Sequence, residues 1–406
     1  MYKIKITALL LFLTCGAFAQ TDFKNNVYRR TSKVIEKDFP KINPFKDQQL
    51  VHSKLLFSVY ELQCIGAYKN SLSKYELAGA PHFSFFDSVN NYKTASGYYP
   101  LDAKKYILEK AKNNPLIILN ENHDQPLHRI FAASLLKELY DEGFRYFAVE
   151  ALTSDSSLNR KQKPALNDGY YTAEPQFANL LKLAAEIGYT FVAYEATDRE
   201  LKRRDYYEAL HIKEKTLDKD PVAKVFIYCG FEHNDESIVA DSLSMMAAWL
   251  KVITGIDPLT IDQAFLTEGS NRDCEHTSYS FLQADESAVF IDKKDSSTSF
   301  VPFDKTTKCD VYVYHPRSVF KNNRPTWFAT NGKQEFFLNN KDVHIVYPLL
   351  VMAYETCENA NVNIPTDAIE LKNANSITPL FLKKGSYKLL LRNDLKQEQF
   401  ISIQVN

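Results

Sequence analysis

The chain has 406 residues, with 49 Lys and Arg against 50 Asp and Glu, and a mean hydropathy of −0.33. This balance excludes the basic surplus of a nucleic-acid binder. Its length and 45% hydrophobic content suffice for a full core in one large domain with an appendage. Lys3 and Lys5, the apolar run from Ile6 to Phe18 and the Ala17-Phe18-Ala19 exit read as a secretory signal over 1–19, with a mature chain from Gln20. The run is shorter than the roughly 20 residues a spanning helix needs. The bulky Leu13-Thr14 pair argues against lipid anchoring through Cys15. The expected location is therefore periplasmic or extracellular, with no transmembrane segment after cleavage. The remaining 47 basic and 50 acidic residues leave a net charge of −3.

Residues 20–100 are expected to form a helical cap, with mixed three- and four-residue apolar spacing over Gln48–Tyr60 and Leu72–Glu76. From 101 to 360 a different pattern holds, that of an α/β domain. Leu116 to Leu119 is a continuous apolar run after Pro115, the mark of a strand buried on both faces. Pro126 suits a first helical turn, and Leu127, Phe131, Leu135 and Leu139 repeat every four residues until Gly143. Phe144–Val149 is a second strand, followed by a helix carrying Phe177, Leu180, Leu181, Ala184 and Ile187. Thr190–Tyr194 is a third strand, and a charged helix runs from about Asp198 to Lys219 with a solvated face. Val222–Cys229 is a fourth strand, and another helix begins after Asn234. Strands alternating with helices predict right-handed βαβ crossovers and a mostly parallel central sheet with flanking helices. Ala288–Ile291 and Asp310–Tyr314 read as further strands. Residues 361–406 alternate in apolar character and predict a small antiparallel β appendage, with Lys384-Gly385-Ser386 as a hairpin turn.

In open parallel sheets the ligand site lies outside the carboxyl ends of the strands. Here each strand delivers an acid or a histidine to that edge: Glu121 and His123, then Glu150, then Glu195, then His233. A single such residue is ordinary at a strand end; four strands in succession are not. His128 and Arg129 fall in the first turn of the following helix, where free N–H groups and the helix dipole favour an anion and Arg129 adds a fork of donors. His123 is the candidate general base, oriented by Glu121 or Glu150. Alternatively, His123, His128 and His233 with glutamates are candidate ligands for a divalent metal that acidifies a bound water. His315, after the strand ending at Tyr314, is a further cleft candidate. Cys64, Cys229, Cys274, Cys309 and Cys357 are widely spaced, with no C-x-x-C pair, so neither a disulfide scaffold nor a zinc ribbon is expected.

The stretch from Leu119 through Glu121, His123, Asp124, Pro126 and His128 to Arg129 resembles the Gly-Glu-x-His-Asp-x-Pro-x-His signature of ChaN-like haem-uptake lipoproteins. Their wider group includes erythromycin esterases and Tiki metalloproteases. Glu150 and Gly230-x-x-His233 are similar to later family features, and the likeness covers about residues 115–240. Asn120 stands where the family has glycine. Only Asn122 separates Glu121 from His123, where erythromycin esterases usually have two residues. Of the two Gly-x-x-His motifs of Tiki-like proteases, the second alone has a counterpart. The resemblance implies an exported hydrolase acting on an ester, amide or similar bond of a small molecule or peptide, with metal assistance in some members. Its alternative implication is a haem- or metal-binding uptake protein.

Overall fold

The computed structural model describes residues 59–77, 97–154, 157–238, 244–270, 272–302, 309–360 and 362–406. The signal read over 1–19 and most of the helical region read over 20–100 lie outside them. The chain divides into two compact units, Ala80–Val319 and a second that joins the residues before 80 to Phe320–Asn406.

In the first unit, β1 (Tyr98–Asp102) leads into α1 (Ala103–Ala111), whose amino end is capped by Asp102 accepting from the Lys105 N–H at 2.9 Å. The βαβ series follows: β2 (Leu116–Glu121), α2 (Pro126–Asp141), β3 (Phe144–Val149), α3 (Pro175–Ile187), β4 (Thr190–Ala193), α4 (Arg204–Lys215), β5 (Lys224–Gly230), α5 (Met246–Thr254) and β6 (Leu259–Asp262). β7 (Ala288–Asp292) pairs antiparallel with β1, and β8 (Val311–Tyr312) joins the central sheet. That sheet has six strands in the order β4-β3-β5-β2-β6-β8, and every pairing in it is parallel.

Its strands are apolar on both sides because helices cover both sides. Ile117 and Leu119 of β2, with Phe226 and Tyr228 of β5, pack under α1, α2 and α3. Leu116 and Ile118, with Val225, Ile227 and Cys229, pack under α4 and α5. The period of two along each strand divides a continuous apolar run between two cores. Burying each such aliphatic side chain contributes about 1.5–3 kcal/mol. The helix stops follow local chemistry. Gly188 closes α3 at φ +109, and Glu174 caps its start by accepting from the Phe177 N–H at 2.7 Å.

β6 was not expected. Its four residues follow Asp257-Pro258, and no long apolar run announces it. The charged helix is shorter than the expected Asp198–Lys219: α4 is preceded by a 3-10 turn at Leu201–Arg203. After Asn234 the next helix begins only at Met246.

Among its described residues the second unit contains a helix, Tyr68–Leu77, and eight strands: β9 (Phe320–Lys321), β10 (Arg324–Pro325), β11 (Lys333–Phe336), β12 (Leu349–Glu355), β13 (Asp367–Leu371), β14 (Leu380–Lys383), β15 (Gly385–Arg392) and β16 (Glu398–Val405). β12 is central to an antiparallel sheet of order β13-β12-β15-β16. The boundary expected at 360 therefore cuts through this unit, since β12 pairs with both β13 and β15. The hairpin expected at Lys384-Gly385-Ser386 is a hand-over between sheets: β14 pairs with β11, and β15 pairs with β16 instead. Buried Arg324 organises the unit. It meets Asp367 through two hydrogen bonds of 2.6 and 2.7 Å, donates to the Gly66 carbonyl at 3.0 Å, and lies over the Phe328 ring. Among the described residues, no helix is long and apolar enough to cross a membrane.

Candidate functional site

The carboxyl edge of the parallel sheet carries the site, all of it within the first unit. Glu121 ends β2 and is only 2% exposed. Three side chains converge on its carboxylate through four contacts. Arg129 donates from Nε to Oε2 at 2.9 Å and from Nη2 to Oε1 at 2.8 Å. The Tyr228 hydroxyl donates to Oε2 at 2.6 Å, and His123 Nδ1 lies 2.8 Å from Oε1. Burial works to raise the Glu121 pKa, but Arg129 and His123 hold it well below the carboxylate range. An ionised acceptor at Oε1 places a proton on Nδ1 of His123, so in the neutral ring the lone pair falls on Nε2.

Arg129 differs from its expected role. It is fully buried, and the rest of its fork goes to Glu174 Oε2 at 2.8 Å and to the His123 carbonyl at 3.2 Å. The faces of Tyr171 and Phe177 lie against its guanidinium. It positions Glu121 and the His123 backbone, and its complete burial keeps it from a substrate anion. Pro126 begins α2 as expected, but Gln125, the residue before it, makes no side-chain cap.

His123 is stacked on Tyr171 at 4.4 Å and meets Phe231 edge-on at 5.4 Å. A methyl group at Gly230 would lie 2.6 Å from His123 Nε2 and 3.0 Å from Glu150 Oε2, so both groups close on one point above that glycine. Glu150, past the end of β3, accepts from the Gly230 N–H and from Arg204 Nη2, the latter at 2.7 Å. Burial works to raise its pKa; His233 and Arg204 outweigh this and bring it down to about 2. Two residues in the positive-φ region flank this point: Ala151 at φ +66 and Phe231 at φ +31. Neither is glycine, and such strain costs on the order of 1–3 kcal/mol per residue and gathers at working sites.

His233, three residues beyond Gly230, holds Asp205 through Nδ1 at 2.7 Å and turns Nε2 toward Glu150 Oε1 at 3.6 Å. Burial and Arg204 oppose its charge, but Asp205 and Glu150 prevail and push its pKa up to about 10. Glu195 accepts from the Ala151 N–H at 2.7 Å and lies 3.4 Å from Arg204. The edge thus gathers Glu121, His123, Glu150, Glu195 and His233.

His128 and His315 do not belong to it. His128 is fully buried, accepts from the Asn122 N–H at Nδ1 and faces Thr267 Oγ1 through Nε2. Its pKa is pushed well down by burial. His315 lies tilted against it at 5.1 Å, between Ser287 and Gln263, and burial takes its pKa down to about 3. Both are neutral packing residues with both ring nitrogens occupied, so the expected ligand set of His123, His128 and His233 is not assembled. Asn120, where the resembled family has glycine, is a buried hub: its amide donates to the Phe231 carbonyl and Asp262, and its oxygen accepts from the Gln263 N–H. A glycine there would remove these ties to the loops after β5 and β6.

The charged stretch 198–220 also needs correction. Arg204, Asp205 and Glu208 turn inward and complete the edge. Arg204 reaches Glu150, Glu195 and Glu208, and Glu208 is fully buried. One signal for this was present: Asp205 and Glu208 precede Ala209 and Ile212 by four residues each, which puts two acids on the apolar stripe of the helix. Tyr171, Glu174 and Tyr228 carried no such signal.

Fold and site together define the class: a parallel α/β protein with paired acid–histidine groups at its strand ends. No protein-family model and no curated protein matches the sequence. Among solved structures, the type III effector HopBA1 aligns with a TM-score of 0.34 and 13% identity, over 55% of this chain and 99% of that one.

Proposed function

We propose that the chain is a hydrolase that cleaves an ester, amide or similar bond, with His123 as general base. The observation that carries this reading is the buried, ionised Glu121 holding Nδ1 of a partly exposed histidine. That arrangement leaves a basic Nε2 beside Gly230 and Glu150. His123 Nε2 takes a proton from water, and the resulting hydroxide adds to the substrate carbonyl. The carbonyl oxygen becomes an oxyanion. As that oxyanion collapses, the bond to the leaving group breaks and His123 returns its proton to the departing atom. Glu150 holds Arg204 and the Gly230 backbone in place.

His123→Ala tests the assignment. With a panel of activated esters and short peptides, the wild type turns over at least one probe. The variant loses roughly 10²–10⁴-fold in kcat/KM with an unchanged far-ultraviolet circular dichroism spectrum. Full turnover by a folded variant would sink the proposal.

A further inference from the structure

We infer that Asp205, Glu208 and His233 form a binding site for one divalent transition-metal ion beside the hydrolytic cleft. Three candidate ligand atoms converge: Asp205 Oδ1 and His233 Nδ1 are 2.7 Å apart, and Glu208 Oε2 is 3.8 Å from the same Nδ1. All three ligand atoms lie within 4.8 Å of one another, so an ion with ligand bonds of about 2.0–2.2 Å is reached after the side chains close by a few tenths of an ångström.

The second observation is Glu208 itself. Its carboxylate is 1% exposed, and neither oxygen accepts a hydrogen bond among the described residues. Oε1 lies 2.5 Å from Arg204 Nε without the alignment of a hydrogen bond, and Oε2 is aimed at His233. A buried carboxylate without hydrogen bonds is costly unless it pairs or takes a cation. Arg204 does not meet that demand alone, because it also serves Glu150 and Glu195. Four carboxylates, Glu150, Glu195, Asp205 and Glu208, surround one guanidinium and one imidazole. With the imidazole neutral the group carries −3, and a dication reduces this to −1.

The donor set selects the ion. One imidazole with two carboxylates and no thiolate suits Zn²⁺ or Mn²⁺. Coordination through Nδ1 leaves His233 Nε2 3.6 Å from Glu150 Oε1, an outer carboxylate of the kind that orients a ligating histidine, and 3.2 Å from Arg204 Nη1, which must shift for Nε2–H to donate to that carboxylate. Helix geometry fixes the rest: Asp205 and Glu208 are three residues apart on one face of α4, and His233 is brought opposite them by the turn after β5. Positive charge opposite Glu150 is retained when the metal replaces the His233 proton, so the site is compatible with the proposed hydrolysis but does not rest on it.

The test uses the full chain stripped with chelator and dialysed, then titrated with Zn²⁺ and, separately, Mn²⁺. Bound metal is counted by mass spectrometry and the melting temperature is followed. The wild type is expected to retain one ion per chain and to melt higher with metal than without. Glu208→Gln and Asp205→Asn should each lose at least 10-fold in affinity for the preferred ion and most of the metal-dependent rise in melting temperature. Asp205 is less buried than Glu208, so its variant keeps the test decisive if Glu208→Gln fails to fold. The inference is overturned if the wild type binds neither ion, or if the folded variants bind as tightly as the wild type. Neither readout depends on turnover, so loss of this site and loss of the hydrolase reading are separate results.

Discussion

Gly230 shows how little room the site allows. Its φ of −89° is open to any residue, so glycine is not required there by the backbone. It is required by His123 and Glu150, which lie where a side chain would begin. Gly230→Ala should therefore displace the imidazole and cost about 1–3 kcal/mol from overpacking. A urea denaturation curve measures that cost, and the proposed turnover should fall by more than the loss of folded protein accounts for. Arg129 makes the opposite demand. Arg129→Met should leave Glu121 and Glu174 buried without their cation and destabilise the fold by about 3–5 kcal/mol, read from the shift of the same denaturation midpoint. A near-neutral result would mean that the buried network contributes less than its geometry indicates. Arg129 was legible in the sequence as a residue of the site, but its role was not. A guanidinium in a first helical turn offers donors, and only the positions of Glu121 and Glu174 show that those donors are taken.

Whole elements divide in the same way. α2 was readable because its apolar residues recur every four positions between Pro126 and Gly143, and local periodicity is written in sequence. α4 was readable as a helix but not as a wall of the site. Arg204, Asp205 and Glu208 look like a solvated face until β3 and β5 place Glu150 and His233 against them. The start of α3 joins helix and site through one carboxylate, since Glu174 both caps the Phe177 N–H and accepts from Arg129. A lost cap alone costs about 1 kcal/mol. Glu174→Ala is expected to exceed that value by thermal unfolding, because it also strips a partner from a buried cation, whereas Glu174→Gln should recover the capping part.

For the whole molecule, the titrating groups oppose one another across pH. His315, held down near 3, and His128, also held down, stay neutral in the fold but take a proton in the unfolded chain below about 6.5. Their contribution is present above about 6.5 and is lost as pH falls toward 3. Glu150, held near 2, adds a loss below about 4.5. Asp262, raised by burial to about 6, offsets part of this between about 6 and 4. His233 has the reverse sign. Its folded pKa near 10 exceeds the unfolded value, so its contribution is present below about 6.5 and lost as pH rises toward 10. Stability should thus peak near pH 6–7 and decline on both sides. Urea midpoints measured from pH 4 to pH 10 check this, and a monotonic rise into the alkaline range would contradict the assignment of His233.

The sequence by itself determined the βαβ series and the residues that leave each strand end, because burial on both faces and helical periodicity are local patterns. It also marked the Glu121–Arg129 loop as the centre. Tertiary structure decided which of those residues face one another. His128 and His315 were withdrawn into the core, Arg129 was turned into a support for Glu121, and Arg204, Asp205 and Glu208 were brought in from a helix far along the chain. Tertiary structure also decided that β12 belongs with the strands after 361, since antiparallel pairing between distant segments is set by hydrogen bonds no local pattern records. The physical reason is common to all of these: a side chain's chemistry is local, but its partners and its solvent exposure are properties of the fold.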